Sequence, residues 1–167
     1  MNNKKYCLCL LTIFCLLSML VGCGGSNGGS DYVLSPDELE VATAVESFAA
    51  AVKTENLVQS MKLVYSNLTY FNSSTPSGYV QFESRLKNLF DKAIVDEFTI
   101  TDIGPSMESE DLATVRARLT LVYTVAGTPF TLGEDIELRL ERDDGQWGII
   151  QFAAYSTTMV TAFPPAL

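Results

Sequence analysis

The stretch LATVRARLTLVYTVAGTPFTLGEDIELRLERDDGQWGIIQFAAY, residues 112–155, carries most of the architectural information in this chain. In its first third Val115, Ala117, Leu119, Leu121, Tyr123 and Val125 alternate with Thr114, Arg116, Arg118, Thr120 and Thr124, the period-two signal of a strand with one buried face. Phe130, Leu132, Ile136, Leu138 and Leu140 continue it, and a third run opens at Trp147 after Arg142-Asp143-Asp144-Gly145, whose glycine suits a hairpin turn. The reading is a three-strand antiparallel meander. Because a one-residue slip reverses every side chain, alternation is read as fixing the register. Pairing Val125 with Phe130 sets Leu119 against Ile136 and Arg118 against Glu137; pairing Leu140 with Trp147 sets Leu138 against Ile149 and Leu132 against Tyr155.

Upstream, Ser35-Pro36-Asp37-Glu38 is a capping box with proline at the first helical position. The stripe Val41, Val45, Phe48, Val52 carries that helix to about Lys53. Leu57, Met61, Val64 and Leu68 predict a second helix after Asn56, and residues 67–78, rich in Asn, Ser, Thr, Pro and Gly, read as a loop. Tyr79, Phe82, Leu86, Leu89, Phe90 and Ala93 predict a third helix, followed by a strand from Ile94 to Ile103 that Gly104-Pro105 ends. Paired with the meander, this strand sets Ile100 against Val115, Phe98 against Ala117 and Glu97 against Arg118. The fold class is α+β, with three N-terminal helices packed on a curved antiparallel sheet of about four strands.

The address is written at the start. Lys4-Lys5 precedes an apolar run from Cys7 to Val21, shorter than the roughly 20 residues that span a bilayer, and this reads as a signal peptide. Leu20-Val21-Gly22-Cys23 resembles the lipobox of bacterial lipoproteins, which implies acylation of Cys23 and removal of residues 1–22. Residues 23–33 form a Gly/Ser tether, residues 34–156 one domain and residues 157–167 a tail. The lipoprotein resemblance implies a cell-envelope location held to the lipid bilayer through Cys23, and Gly24 after the cysteine is similar to the outer-membrane class of Gram-negative lipoproteins. Cys7, Cys9 and Cys15 leave with the signal, so the mature domain has no disulfide. With 11 Lys and Arg against 20 Asp and Glu, the chain has no basic cluster for nucleic acid.

The element order, with Asp144-Gly145-Gln146-Trp147-Gly148-Ile149 entering the final strand, resembles the NTF2-like superfamily, which includes SnoaL-type proteins and ketosteroid isomerase. A cystatin-like sheet around one helix is the structural alternative. The register puts Glu134 on the concave face with Tyr123, Gln151 and Tyr155 around it, and Asp96 points the same way. A carboxylate among apolar groups has a raised pKa and suits acid–base chemistry or ligand binding; a bulge at Gly133 would instead turn Glu134 to water. Enzymes of the resembled fold place acids and tyrosines in this cone, which makes Glu134, Tyr123 and Asp96 catalytic candidates. The chain has no histidine, which excludes Ser-His and Cys-His nucleophiles, and no spaced ligand cluster for a metal or binding motif for a cofactor. Two functions follow: a non-catalytic envelope lipoprotein whose cone binds a small apolar ligand or a protein partner, and a small-molecule isomerase, dehydratase or hydrolase using Glu134. On the convex face Val122, Gly133, Ile150, Phe152 and Ala154 are expected to form an apolar patch. It would serve a homodimer or envelope partner, or lie under the tail with Val160, Phe163, Pro164 and Pro165.

Overall fold

The computed structural model describes residues 33–72, 75–154, 163–165 and 167; the signal segment, Cys23, the tether and Tyr155 lie outside them. Helix α1 spans Pro36–Lys53. Its capping box is formed as expected: the Glu38 backbone N–H donates to Ser35 Oγ, and the Ser35 N–H donates to the Glu38 carboxylate at 2.8 Å. Val41, Val45, Phe48 and Val52 are all fully buried. Helix α2, Leu57–Lys62, is capped by Asn56 and stops six residues before Leu68. The chain then forms strands β1, Val64–Asn72, and β2, Thr75–Gly78, where a helix end and a loop were expected. Val64 and Leu68 are both buried, but a spacing of four shares a face in a strand as well as in a helix. The β-branched and aromatic residues between Val64 and Phe71 decide for the strand.

Helix α3 spans Tyr79–Lys92, and β3, Ile94–Ser109, follows it directly. This strand does not end at Gly104-Pro105. It absorbs extra residues at three irregularities, one of them at Asp102, which has a positive φ of 54°, and continues to a tight turn at Glu110-Asp111. The result sets Ile100 opposite Leu119, Phe98 opposite Leu121 and Glu97 opposite Val122, replacing the expected partners Val115, Ala117 and Arg118.

Strands β4, Leu112–Val125, β5, Thr128–Asp143, and β6, Gln146–Ala154, form the meander. Both of its turns are tighter than expected. Ala126 and Gly127 have φ of 48° and 82°, and Asp144 and Gly145 have 48° and 75°, so each hairpin closes on two left-handed residues whose twist matches the strands. The β4–β5 register therefore shifts by two. Val125 pairs with Thr128, Leu119 with Glu134 and Ala117 with Ile136. A two-residue shift keeps the buried face buried, which is why the alternation gave the correct faces with the wrong partners. On the outer face Arg118 now meets Asp135 at 3.0 Å and Arg116 meets Glu137 at 3.3 Å.

Between β5 and β6, Arg142 pairs with Trp147 and Leu140 with Ile149. A bulge at Ile150 then reverses the alternation, so Arg139 pairs with Gln151 and Leu138 with Phe152. Phe152, expected on the convex patch, is 1% exposed in the core. Trp147 is buried beneath the Arg142 guanidinium, 4.7 Å from its ring centre, and Arg142 bonds Asp37 and Glu40 of α1. The six strands run in the order β2-β1-β6-β5-β4-β3, with β1 parallel to β6 and the other neighbours antiparallel. The sheet is open and curved. Phe98 on β3 and Phe152 on β6 are separated by three strand spacings, about 14 Å on a flat sheet, yet both rings lie within 5.6 Å of the Phe163 ring.

Candidate functional site

From Leu132 to Leu140 on β5 and over the facing part of β4 from Ala113 to Leu121, the concave face is apolar except at Glu134. Glu134 is 7% exposed, flanked along β5 by buried Leu132 and Ile136 and paired across the sheet with fully buried Leu119. The β4–β5 ladder runs through Gly133 without a bulge, so nothing turns the carboxylate outward. Its Oε2 is buried and has no hydrogen-bond partner among the described residues. Burial pushes the Glu134 carboxyl above the usual carboxylate range, because the charged form loses hydration and gains no donor in return.

The other candidates are not assembled around it. Tyr123 is buried on the same face, and burial raises its phenol pKa. The two-residue register shift places it opposite Phe130, however, where the two rings stack with centroids 5.3 Å apart. Four residue steps along β5 separate Phe130 from Glu134, about 13 Å of strand. Asp96 occupies a bulge at the start of β3 and turns to the outer face, where its carboxylate accepts a bond from Thr124 Oγ1 at 2.7 Å. Gln151 lies beside Arg139 beyond the Ile150 bulge, on the face opposite Phe152. Tyr155 is outside the described residues.

Reading the sequence misses the interior that closes this face. Phe163 is 1% exposed and touches four other phenylalanine rings: Phe48 of α1, Phe82 of α3, Phe98 of β3 and Phe152 of β6. Pro164 and Pro165 are also buried. Of the two expectations for the outer patch, a partner surface or cover by the tail, the second is not met by the described part of the tail, which enters the inside. Phe163-Pro164-Pro165 is the available signal, an apolar run too short for an element of its own, but its destination depends on the Ile150 bulge. Among the described residues no group of three acids, cysteines or histidines is placed to hold a metal ion, and no helix is long and apolar enough to cross a membrane.

No protein-family model matches the sequence, and no curated protein matches it. Solved structures do. A ketosteroid isomerase-like protein from Erwinia carotovora atroseptica matches with a TM-score of 0.61 at 14% identity, over 74% of this chain and 99% of that one. An NTF2-like protein from Cytophaga hutchinsonii gives 0.62 at 10% identity, over 72% and 98%. An NTF2-like protein of unknown function in nutrient uptake from Rhodospirillum rubrum gives 0.61 at 16% identity, over 68% and 95%. At these identities the likeness is one of fold, and the chain has the NTF2-like fold.

Proposed function

We propose that this protein is a lipid-anchored envelope protein whose NTF2-like domain binds a small apolar ligand at its concave face without transforming it. The observation that carries the reading is a buried carboxyl, Glu134, with an oxygen unpartnered among the described residues, in a wall of Leu119, Leu132 and Ile136. Burial shifts Glu134 toward its protonated form, which can donate one hydrogen bond, and a ligand with a single acceptor on an apolar body would satisfy it. Catalysis by the one-tyrosine, two-acid pattern needs those groups together. Tyr123 is displaced along the strand and Asp96 faces outward. Anchoring rests on Leu20-Val21-Gly22-Cys23 and the Gly/Ser tether that follows it. A protein partner at the outer face would meet the exposed pairs Arg116–Glu137 and Arg118–Asp135 rather than an apolar patch.

Fluorescence titration with a neutral apolar ketone such as 6-propionyl-2-dimethylaminonaphthalene tests the reading. Loss of one hydrogen bond of about 1.4 kcal/mol is a tenfold change in affinity, so Glu134→Leu should weaken binding about tenfold. Equal affinities would remove Glu134 from the site. The raised Glu134 pKa favours a second reading, a proton-transfer enzyme working on one carboxyl. Isomerisation of a β,γ-unsaturated ketosteroid by the native chain and not by Glu134→Gln would establish it.

A further inference from the structure

We propose that Phe163 occupies, within its own chain, the seat of a small aromatic ligand, so that the tail and the ligand compete for the interior of the cone. The inference rests on the ligand-binding reading above and gives that ligand a chemical class. Three observations carry it.

The seat is built without Phe163. Its four rings come from α1, α3, β3 and β6, and they contact one another directly. Phe48 lies 6.4 Å from Phe82, 6.3 Å from Phe98 and 6.5 Å from Phe152, and Phe82 lies 5.9 Å from Phe152. Each wall is held by a helix or by strand pairing that does not involve the tail. The guest has the geometry of a bound ring: its centroid is 4.9 Å from that of Phe98 and 5.6 Å from that of Phe152, with Phe48 and Phe82 edge-on at 6.5 and 6.1 Å. These are the tilted and edge-to-face contacts that aromatic quadrupoles favour. Finally, Phe163, Pro164 and Pro165 belong to no helix or strand, so withdrawing the ring breaks no ladder bond of theirs. Near the chain end, the Lys92 ammonium donates to Leu167 O at 2.8 Å in an exposed bond.

A ring that merely completes a core would not leave when a ligand arrives, and that difference decides the matter. The full chain, with 13C-labelled phenylalanine rings, is titrated with toluene and followed by NMR. The expected result is that Phe163 moves to a solvent-like resonance while Phe48, Phe82, Phe98 and Phe152 remain buried. In parallel, Phe163→Ala should bind toluene at least tenfold more tightly than the native chain, because no tail competes. Toluene that saturates the native chain without moving Phe163 would overturn the proposal, as would a folded Phe163→Ala chain that binds no more tightly. If Phe163→Ala does not fold, the NMR titration of the native chain alone decides. Displacement of Phe163 combined with ketone binding that ignores Glu134→Leu would sink the Glu134 reading and leave this one standing. Glu134-dependent binding with Phe163 unmoved would do the reverse.

Discussion

Glu134 is where local physics and function pull apart. A buried carboxyl oxygen with no donor costs stability on the order of 1 to 3 kcal/mol, and a packing argument would put leucine there. Its folded-state pKa is raised above that of the unfolded chain, so the native state holds the proton more tightly. Stability from this group is therefore fully present below the ordinary carboxylate pKa and is lost as pH rises through the raised one. Glu134→Leu should raise the stability of the domain at pH 7.5 by about 1 to 3 kcal/mol and flatten its decline between mildly acidic and neutral pH. Urea melts at pH 4.5 and 7.5 measure both effects. A Glu134→Leu chain less stable than the native one at pH 7.5 would mean that the carboxylate has a donor after all. Position 134 was legible in the sequence, since a charged residue stands where the alternation asks for an apolar one. Its neighbours were not, because alternation fixes faces and leaves a shift of two open.

At the level of elements, the two-residue turns decide which partners meet. Ala126 has no special claim on a left-handed conformation, and holding an ordinary L-residue there costs roughly 1 to 2 kcal/mol, whereas Asn tolerates it and precedes glycine in the preferred hairpin turn. Ala126→Asn should thus stabilise the domain by about 1 kcal/mol, read from the shift in urea midpoint at unchanged slope. No gain, or a loss, would argue for a longer loop and the other register. Helix α1 was readable because its cap and apolar stripe agree, and α3 because its stripe runs its whole length. The passage from α2 to β1 was not, since the four-residue spacing of Val64 and Leu68 satisfies both periods. Nor did anything in Gly148-Ile149-Ile150-Gln151-Phe152 announce a bulge. An apolar residue stands at each of Ile149, Ile150 and Phe152, so either face could be drawn as buried, and the convex patch and the placing of Gln151 followed from the wrong choice.

The chain is acidic, and its NTF2-like fold has a largely apolar inner face where, among the described residues, five phenylalanine rings meet and the Glu134 carboxyl has an oxygen without a partner. That combination fits capture better than turnover: one polar group fixes a ligand's orientation, and rings from several elements supply area. Native mass spectrometry of the protein extracted from its own membranes tests this account most directly. The expected spectrum shows a polypeptide beginning at Cys23 with the mass of an attached lipid, together with a non-covalent small apolar molecule that is depleted in Glu134→Leu. A polypeptide that retains its leader, or that carries no small molecule, would contradict it.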